Sequence, residues 1–375
     1  MKFEDIPGQH KVKQRLIDMV DNERIPHAIL LQGEQGVGKF ALAQALAQYI
    51  HCPNKANGDS CGVCPSCRQH ESFNHIDTFF SFPVIKKKSS GTPPVSDDFI
   101  EEFKHFVVAD PMMNFEGWLE ELGSPSTLPV MYVTESDTLI SKLSFTARSA
   151  KYKIVVMWLP ERMNEQCANK LLKLIEEPFS DTIFILSSDS PQEILPTIYS
   201  RCQRIDVERF TDNDISDFLC KRFSLNSQDA LSIAHNAEGS LTKALKQLST
   251  TGINSKYFEL FIRLMRSAYA RKVADLKAWS AEVSTLGREQ QLSFLKYCDR
   301  LTRENFIYNL HEHDLTYLNT SEEKFSTKFA PFISERNVQA LSRTFNDAVK
   351  DISGNANSKI VLFDVAVRTI LLIKQ

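Results

Sequence analysis

The chain has 375 residues, which at roughly 100 to 200 residues per domain leaves room for two or three domains, each large enough to bury a core. Hydrophobic residues make up 42% and charged residues 24%, a balance that excludes a disordered, collagen-like or predominantly coiled-coil chain. Lys plus Arg (44) against Asp plus Glu (47) gives a formal charge of −3, so no overall positive field attracts a polyanion, and any nucleic-acid contact has to come from a local patch or from partner subunits.

The opening Met1-Lys2-Phe3-Glu4-Asp5-Ile6-Pro7 carries acids where a secretory signal needs a basic start and an apolar run, so a cytoplasmic location is expected. Ala28-Ile29-Leu30-Leu31-Gln32 is a short apolar run that ends at a glycine, and Phe40 to Ile50 alternates Ala and Leu at helical spacing; together they predict strand, loop, helix. Two further β-branched runs, Ile154 to Trp158 and Thr182 to Leu186, flank a helical pattern from about Asn164 to Glu177 that Pro178 terminates. Strands alternating with helices predict an α/β unit with a parallel sheet covered on both faces. Between these blocks, residues 86–129 differ in composition: Lys86-Lys87-Lys88, Ser89-Ser90-Gly91, then scattered Pro and Gly. This stretch is expected to be an insertion projecting from the core, with a short helix around Phe99 to Phe106; the lysines read as a solvated loop.

After Val207 the strand signals stop. Thr211-Asp212-Asn213-Asp214 has the form of a helix-starting capping box. From Lys256 onward the pattern is helical, with Phe258, Phe261, Ile262, Met265 and Tyr269 on one face and Val338, Leu341, Phe345 and Val349 on another. The last third is therefore expected to be all-α. Its most apolar stretch, Ile360 to Ile373, is broken by Asp364 and Arg368 and is shorter than the ~20 apolar residues a bilayer span needs.

Two motifs carry chemistry. Gly33-Glu34-Gln35-Gly36-Val37-Gly38-Lys39-Phe40 lies between the first strand and the first long helical pattern, where a phosphate-binding loop belongs: Gly33, Gly36 and Gly38 let backbone N–H groups converge on phosphate oxygens, and Lys39 reaches the β and γ phosphates. The departure is Phe40, where a Ser or Thr hydroxyl would hold Mg²⁺. The second motif is Cys52, Cys61, Cys64 and Cys67 in a polar loop. In a reducing compartment these are poor disulfide candidates, and four thiolates close a tetrahedral structural Zn²⁺ site with no open position. Cys167, Cys202, Cys220 and Cys298 read as small packed side chains.

The phosphate loop, the four-cysteine spacing, Asn169-Lys170-Leu171-Leu172-Lys173-Leu174-Ile175-Glu176-Glu177-Pro178 and Ser200-Arg201-Cys202 together resemble the bacterial clamp-loader branch of the AAA+ ATPases. Phe3 to Gln9 and Arg24 to Ala28 resemble that family's N-terminal pattern. The resemblance covers about residues 1–245 and implies an AAA+ P-loop domain over 1–208 with a zinc module at about 52–67; the insertion at 86–129, read from composition, is unusual for that family. The resemblance further implies a helical lid over 209–250 and an all-α C-terminal collar, the oligomerisation domain, over 251–375. By the same resemblance the acidic pair that positions Mg²⁺ and water in an active member falls on Trp158 and Leu159, and the nucleotide-sensing arginine of the lid falls on Thr242. Glu161 sits two positions late and reads as a surface or helix N-terminal acid.

What the family pattern retains is Arg201, which in this family projects across a subunit boundary towards a neighbour's γ-phosphate. The combination resembles the stationary delta-prime type of subunit more closely than the hydrolysing gamma or tau type, which is the alternative reading. The resemblance implies a chain that does not hydrolyse ATP by itself. It would act in a hetero-pentamer with gamma/tau and delta subunits, with a sliding clamp, and with primed DNA through the assembly. Retention of Lys39 leaves room for ATP or ADP to be held without hydrolysis. A zinc-dependent nucleic-acid-binding module acting alone is a third reading, and the overall acidity argues against it.

Overall fold

The computed structural model describes residues 1–86, 92–123, 127–249, 251–310 and 316–374. Lys87, Lys88, Ser89, Ser90, Gly91 and Pro125 of the expected insertion lie outside the described residues. The chain divides into two compact units, Met1–Arg222 with Ala237–Leu245, and Phe223–Asn236 with Lys246–Gln375. The segment read as a lid, 209–250, is thus shared between them.

The first unit contains α1 (His10–Asp21), β1 (Ala28–Gln32), α2 (Lys39–His51), α3 (Pro65–Glu71), β2 (Thr78–Ser81), α4 (Ile100–Ala109), α5 (Phe115–Glu121), α6 (Val133–Leu143), β3 (Lys153–Trp158), α7 (Glu165–Glu176), β4 (Thr182–Ser188), α8 (Pro196–Tyr199), β5 (Gln203–Asp206) and most of α9 (Asp212–Phe223). The strands form one five-stranded parallel sheet in the order β2-β3-β4-β1-β5. Because the chain leaves β1 for one side of the sheet and later returns to its other side, the loop after β1 opens at a switch point, the place where open α/β sheets hold ligands.

The local reasons follow the residues. β3 and β4 are buried along their whole length, as continuous apolar runs in a covered parallel sheet require. All thirteen residues of α2 are buried, so its Ala- and Leu-rich sequence packs all round rather than on one stripe. Asn164 caps α7 by accepting the Cys167 N–H at 2.8 Å, and the helix stops one residue before Glu177-Pro178. At α9 the capping box is present in both directions: Asp214 N–H donates to Thr211 Oγ1, and Thr211 N–H to Asp214 Oδ2, each at 3.1 Å.

Over its described residues, the insertion packs its helices back on the core rather than projecting from it. Its helices α4 and α5 bring Phe103, Phe106 and Trp118 to full burial against Phe82 and Trp158, because its aromatic residues leave no reason to face water. Trp118 Nε1–H, the one polar atom of that side chain, donates to Pro83 O at 2.8 Å.

The second unit is all-helical: α10 (Ser227–Asn236), the end of α11 (Leu241–Ser249), α12 (Thr251–Tyr269), α13 (Val273–Ser284), α14 (Arg288–Asn309), α15 (Thr320–Phe329), α16 (Val338–Ser353) and α17 (Ser358–Leu372). Its core gathers Phe261, Met265, Trp279, Phe294, Leu341 and Phe345. Tyr269, placed by periodicity on the same face as Phe261, is 45% exposed. Helix α10 is tied to this unit by Thr320 N–H donating to Asp229 Oδ1 (2.9 Å) and by the stacking of His235 on Tyr317. Among the described residues, no helix is long and apolar enough to cross a membrane.

Candidate functional site

The loop after β1 carries Gly33, Gly36, Gly38 and Lys39. Gly36 (φ 82°) and Gly38 (φ 83°) adopt the left-handed backbone that a side chain disfavours. At Gly36 the restriction is also spatial: a Cβ there would lie 2.1 Å from Ser240 Oγ. The start of α11 is seated on the loop, with Leu241 N–H donating to Gly36 O at 3.0 Å. Thr242, in the position of the expected lid arginine, has its Oγ1 3.1 Å from where that Gly36 Cβ would sit. Arg209 adds a two-pronged contact from outside, its Nε and Nη2 donating to the two carboxylate oxygens of Glu34 at 2.8 and 2.6 Å. That hydrogen bond, with the guanidinium charge behind it, holds the Glu34 carboxyl below its ordinary range.

Lys39 is 5% exposed and its ammonium is used within the fold. Nζ donates to Gly33 O at 2.8 Å and to Glu34 O, and pairs with Asp189 Oδ1 at 2.8 Å. An ammonium has three hydrogens, and these three acceptors take them all. Asp189 lies in the turn after β4, and that turn is itself held by Glu161, whose Oε1 accepts the N–H groups of Asp189 (2.9 Å) and Ser190 (3.1 Å). Of the two readings from sequence, Glu161 meets the helix N-terminal one: it stands in the first turn of the short 3-10 helix Pro160–Arg162 and is only partly exposed. Burial is the largest influence on it and pushes its carboxyl above the usual range, against the opposing pull of those amides.

The residues that the resemblance aligns with Mg²⁺ and water positions, Phe40, Trp158 and Leu159, are buried in the core. Phe40 is 3% exposed and meets Phe103 edge-on at 5.5 Å and Phe80 at 6.4 Å. Trp158, at the end of β3 and also 3% exposed, packs on Phe103, Phe106 and Trp118 at 6.0 to 6.4 Å. Leu159 follows in a left-handed turn (φ 57°) and is buried. Phe40, Trp158 and the insertion thus form one aromatic cluster, a relation that sequence reading missed because the partners come from separate elements far apart in the chain.

Arg201 follows α8 at the surface. It pairs with Glu176 at the end of α7 and donates through Nη1 to Thr197 O at 2.9 Å. Both charged side chains are well exposed, at 38% and 41%, and such a pair is worth only ~0–1 kcal/mol, so the guanidinium can exchange this partner for a stronger anion at little cost.

Cys52, Cys61, Cys64 and Cys67 bring their four Sγ atoms within 4.8 Å of one another. Backbone N–H groups point at the sulfurs: Cys61 N–H to Cys52 Sγ (3.3 Å), Cys64 N–H to Cys61 Sγ (3.4 Å) and Cys67 N–H to Cys64 Sγ (3.4 Å). Cys64 serves as the N-cap of α3 with Pro65 behind it, which fixes the Cys64-x-x-Cys67 spacing on one helical turn. None of the four is in a disulfide. The N–H groups of Val63 and Cys64 push the Cys61 thiol down to about 6, while burial pushes Cys52 and Cys67 up. Four thiols this close together ionise together only around a cation that offsets their mutual repulsion. The donor set fits a structural metal site.

The sequence profile of the family described as "DNA polymerase III, delta subunit" matches residues 8–211. The chain is similar to DNA polymerase III subunit delta' of Pseudomonas aeruginosa, 31% identical over 47% of this chain and 41% of the relative. It is also similar to DNA polymerase III subunit tau of Escherichia coli, 26% identical over 65% of this chain and 32% of the relative. The chain thus spans less than half the length of these two relatives. Among solved structures, a DNA polymerase III gamma subunit-related protein of Thermotoga maritima aligns over 96% of this chain and 99% of its own, at 15% identity and a TM-score of 0.38. The profile match runs through the phosphate loop, the four cysteines and Arg201, and covers more than half of the residues: the chain belongs to the delta-prime subunit family of DNA polymerase III.

Proposed function

We propose that the chain acts as the delta-prime-like subunit of a clamp loader, completing a hetero-pentamer with gamma/tau and delta subunits that loads a sliding clamp on primed DNA. It does not turn over ATP; it offers Arg201 to the nucleotide site of the adjacent ATPase subunit, where a fixed positive charge stabilises the transferring phosphoryl group. Zn²⁺ held by Cys52, Cys61, Cys64 and Cys67 orders a loop too polar to build its own core. The collar assigned to residues 251–375 holds the subunit in the ring.

The observation that carries this reading is the contrast between two cations. Lys39 spends all three donors on Gly33, Glu34 and Asp189, beside a cluster of Phe40 and Trp158 that offers no oxygen to Mg²⁺. Arg201 stands at the surface with one exposed and exchangeable carboxylate partner. Any ATP or ADP at the phosphate loop has to displace Asp189 and loosen Ser240 and Leu241, so nucleotide held here serves structure rather than chemistry.

ATP turnover by the purified full chain, with Mg²⁺ and with primed DNA, tests this reading. Essentially no turnover is expected, and turnover at the level of a gamma- or tau-type subunit overturns it in favour of a self-sufficient ATPase.

A further inference from the structure

Beside the four cysteines lies a second group of metal-ligand side chains that the clamp-loader reading does not use. His51 ends α2, immediately before Cys52; His70 stands on α3, one helical turn after Cys67; His75 precedes β2. All three are buried, at 8%, 1% and 4% exposure. Their rings stack, with His75 lying 4.3 Å from the His51 centroid and 4.5 Å from that of His70. One ring nitrogen from each lies within 4.8 Å of the other two.

The hydrogen bonds fix which nitrogens carry lone pairs. His51 Nε2 is 2.9 Å from Tyr152 O; a carbonyl only accepts, so Nε2 carries the hydrogen and Nδ1 presents its lone pair to the group. Asp77 N–H donates to His75 Nδ1 at 3.3 Å, which makes that nitrogen an acceptor as well. His70 Nε2 lies 3.0 Å from His51 Nδ1, and its Nδ1 is buried with no hydrogen-bond partner among the described residues. Nothing but His51 therefore sets the His70 tautomer, and its hydrogen can move to Nδ1 when another group takes the place of the Nε2 hydrogen bond. Thr78 Oγ1 completes the ring of donors, 3.3 Å from His51 Nδ1 and 3.4 Å from His75 Nδ1.

A core histidine retained only for packing is found with its polar atoms satisfied, because a buried nitrogen left without a partner costs about 1–3 kcal/mol. Three imidazoles packed together with one nitrogen orphaned do not meet that description. They do meet that of a metal site: imidazole nitrogens suit first-row transition ions. A ligating histidine also usually donates its other N–H to a carbonyl or carboxylate, as His51 does to Tyr152. A negative charge lies close by as well. The Asp77 carboxylate is anchored by the N–H groups of Arg148 (2.8 Å), Ser149 (2.7 Å) and Ala150 (3.0 Å) and by the Ser149 hydroxyl (2.8 Å), so it stays beside the trio without being one of its ligands.

We propose that His51, His70 and His75 hold a second divalent transition-metal ion of the Zn²⁺ or Co²⁺ class, with Thr78 Oγ1 or a water as fourth donor. Ligands 2.0–2.1 Å from a tetrahedral ion are about 3.4 Å apart. His70 Nε2 and His51 Nδ1 are 3.0 Å apart, and one nitrogen of each ring lies no more than 4.8 Å from the others, so ring rotations within the trio can bring three nitrogens to that spacing. The ion would tie the end of α2 to α3 and to the segment before β2, whereas the four cysteines join only the end of α2 and its following loop to α3.

The experiment is metal stoichiometry on the full chain. The protein is stripped, loaded with Zn²⁺, dialysed and measured by elemental analysis, and in parallel titrated with Co²⁺ by absorption. The expected result is two ions per chain. The first Co²⁺ equivalent brings an intense near-ultraviolet thiolate charge-transfer band, and the second adds only weak visible d–d absorption. His75→Phe, which keeps a stacking ring, and separately His70→Gln, lower the count to one while the thiolate band stays, which also shows that the surrounding fold survives. Cys64→Ser weakens the thiolate band and leaves the histidine-site absorption. A count of one in the unaltered chain with no second Co²⁺ phase, or a count of two that survives both histidine substitutions, overturns the proposal.

Discussion

Lys39 Nζ lies 2.8 Å from Asp189 Oδ1, joining the phosphate loop to the turn after β4. The lysine that in a working P-loop waits for phosphate is here a strut between two loops. Removing one partner of such a pair strands a poorly solvated charge, so Asp189→Asn should lower unfolding free energy by about 1–3 kcal/mol. The double variant Lys39→Met with Asp189→Asn should lose less than the sum of the single losses, because neither charge is then stranded. Urea titrations of the four proteins measure this. Asp189→Ala should also bind a fluorescent ATP analogue more tightly than the unaltered chain, since one ammonium hydrogen becomes available; equal or weaker binding would count against the strut.

Restoring the missing hydroxyl should harm rather than help. Phe40 is locked against Phe103 and Phe80, and truncating a buried phenyl ring costs about 3–5 kcal/mol. Phe40→Thr is therefore expected to lower the thermal midpoint by several degrees and to yield no ATP turnover. A stable, hydrolysing variant would show that the aromatic cluster is not what closes the site.

Much of this was legible in the sequence. The strands at Ala28–Gln32, Lys153–Trp158 and Thr182–Ser188 and the helix at Glu165–Glu176 announce themselves through long apolar or periodic runs with clear stops. Strands β2 and β5 do not. Each has four residues, and Gln203–Asp206 is an edge strand with only Ile205 buried, so neither offers a period to read. The four cysteines were visible because ligand spacing is local. The Phe40–Trp158–Trp118 cluster, the Lys39–Asp189 pair and the histidine trio were not, because each joins residues from separate elements whose meeting depends on sheet order.

Metal removal should show first at Cys61. Its thiol is pushed down to about 6 by the N–H groups of Val63 and Cys64, and it is the one member of the four that is not buried. At pH 7 the stripped protein should lose Cys61 to iodoacetamide ahead of Cys52, Cys64 and Cys67, and Zn²⁺ should suppress the reaction at all four. Mass spectrometry of partly alkylated protein reads the order. Uniform labelling, or labelling that Zn²⁺ does not slow, would contradict a closed thiolate site.

Glu161 gives a pH dependence with a definite sign. Burial holds its carboxyl above the ordinary 4.5, so the folded state keeps the proton more tightly than the unfolded chain. Its contribution to stability is fully present below 4.5 and declines as pH rises through the raised folded value. Glu161→Gln has no such proton to lose. Relative to the unaltered chain, the variant should gain stability as pH rises from 4 to 8 in urea titrations; a difference that stays flat would mean that burial does not govern this carboxyl.

Arg201 carries the central claim, and the most direct measurement is ATP turnover by the clamp loader reconstituted with this chain or with Arg201→Ala. The isolated chain should turn over nothing in either form. In the complex, an arginine supplied in trans is worth ~10³ to 10⁵ in rate at the site it faces. The variant should therefore still assemble but lose the share of primed-DNA-stimulated hydrolysis that comes from the adjacent subunit. Unchanged turnover in a fully assembled Arg201→Ala complex would contradict the account.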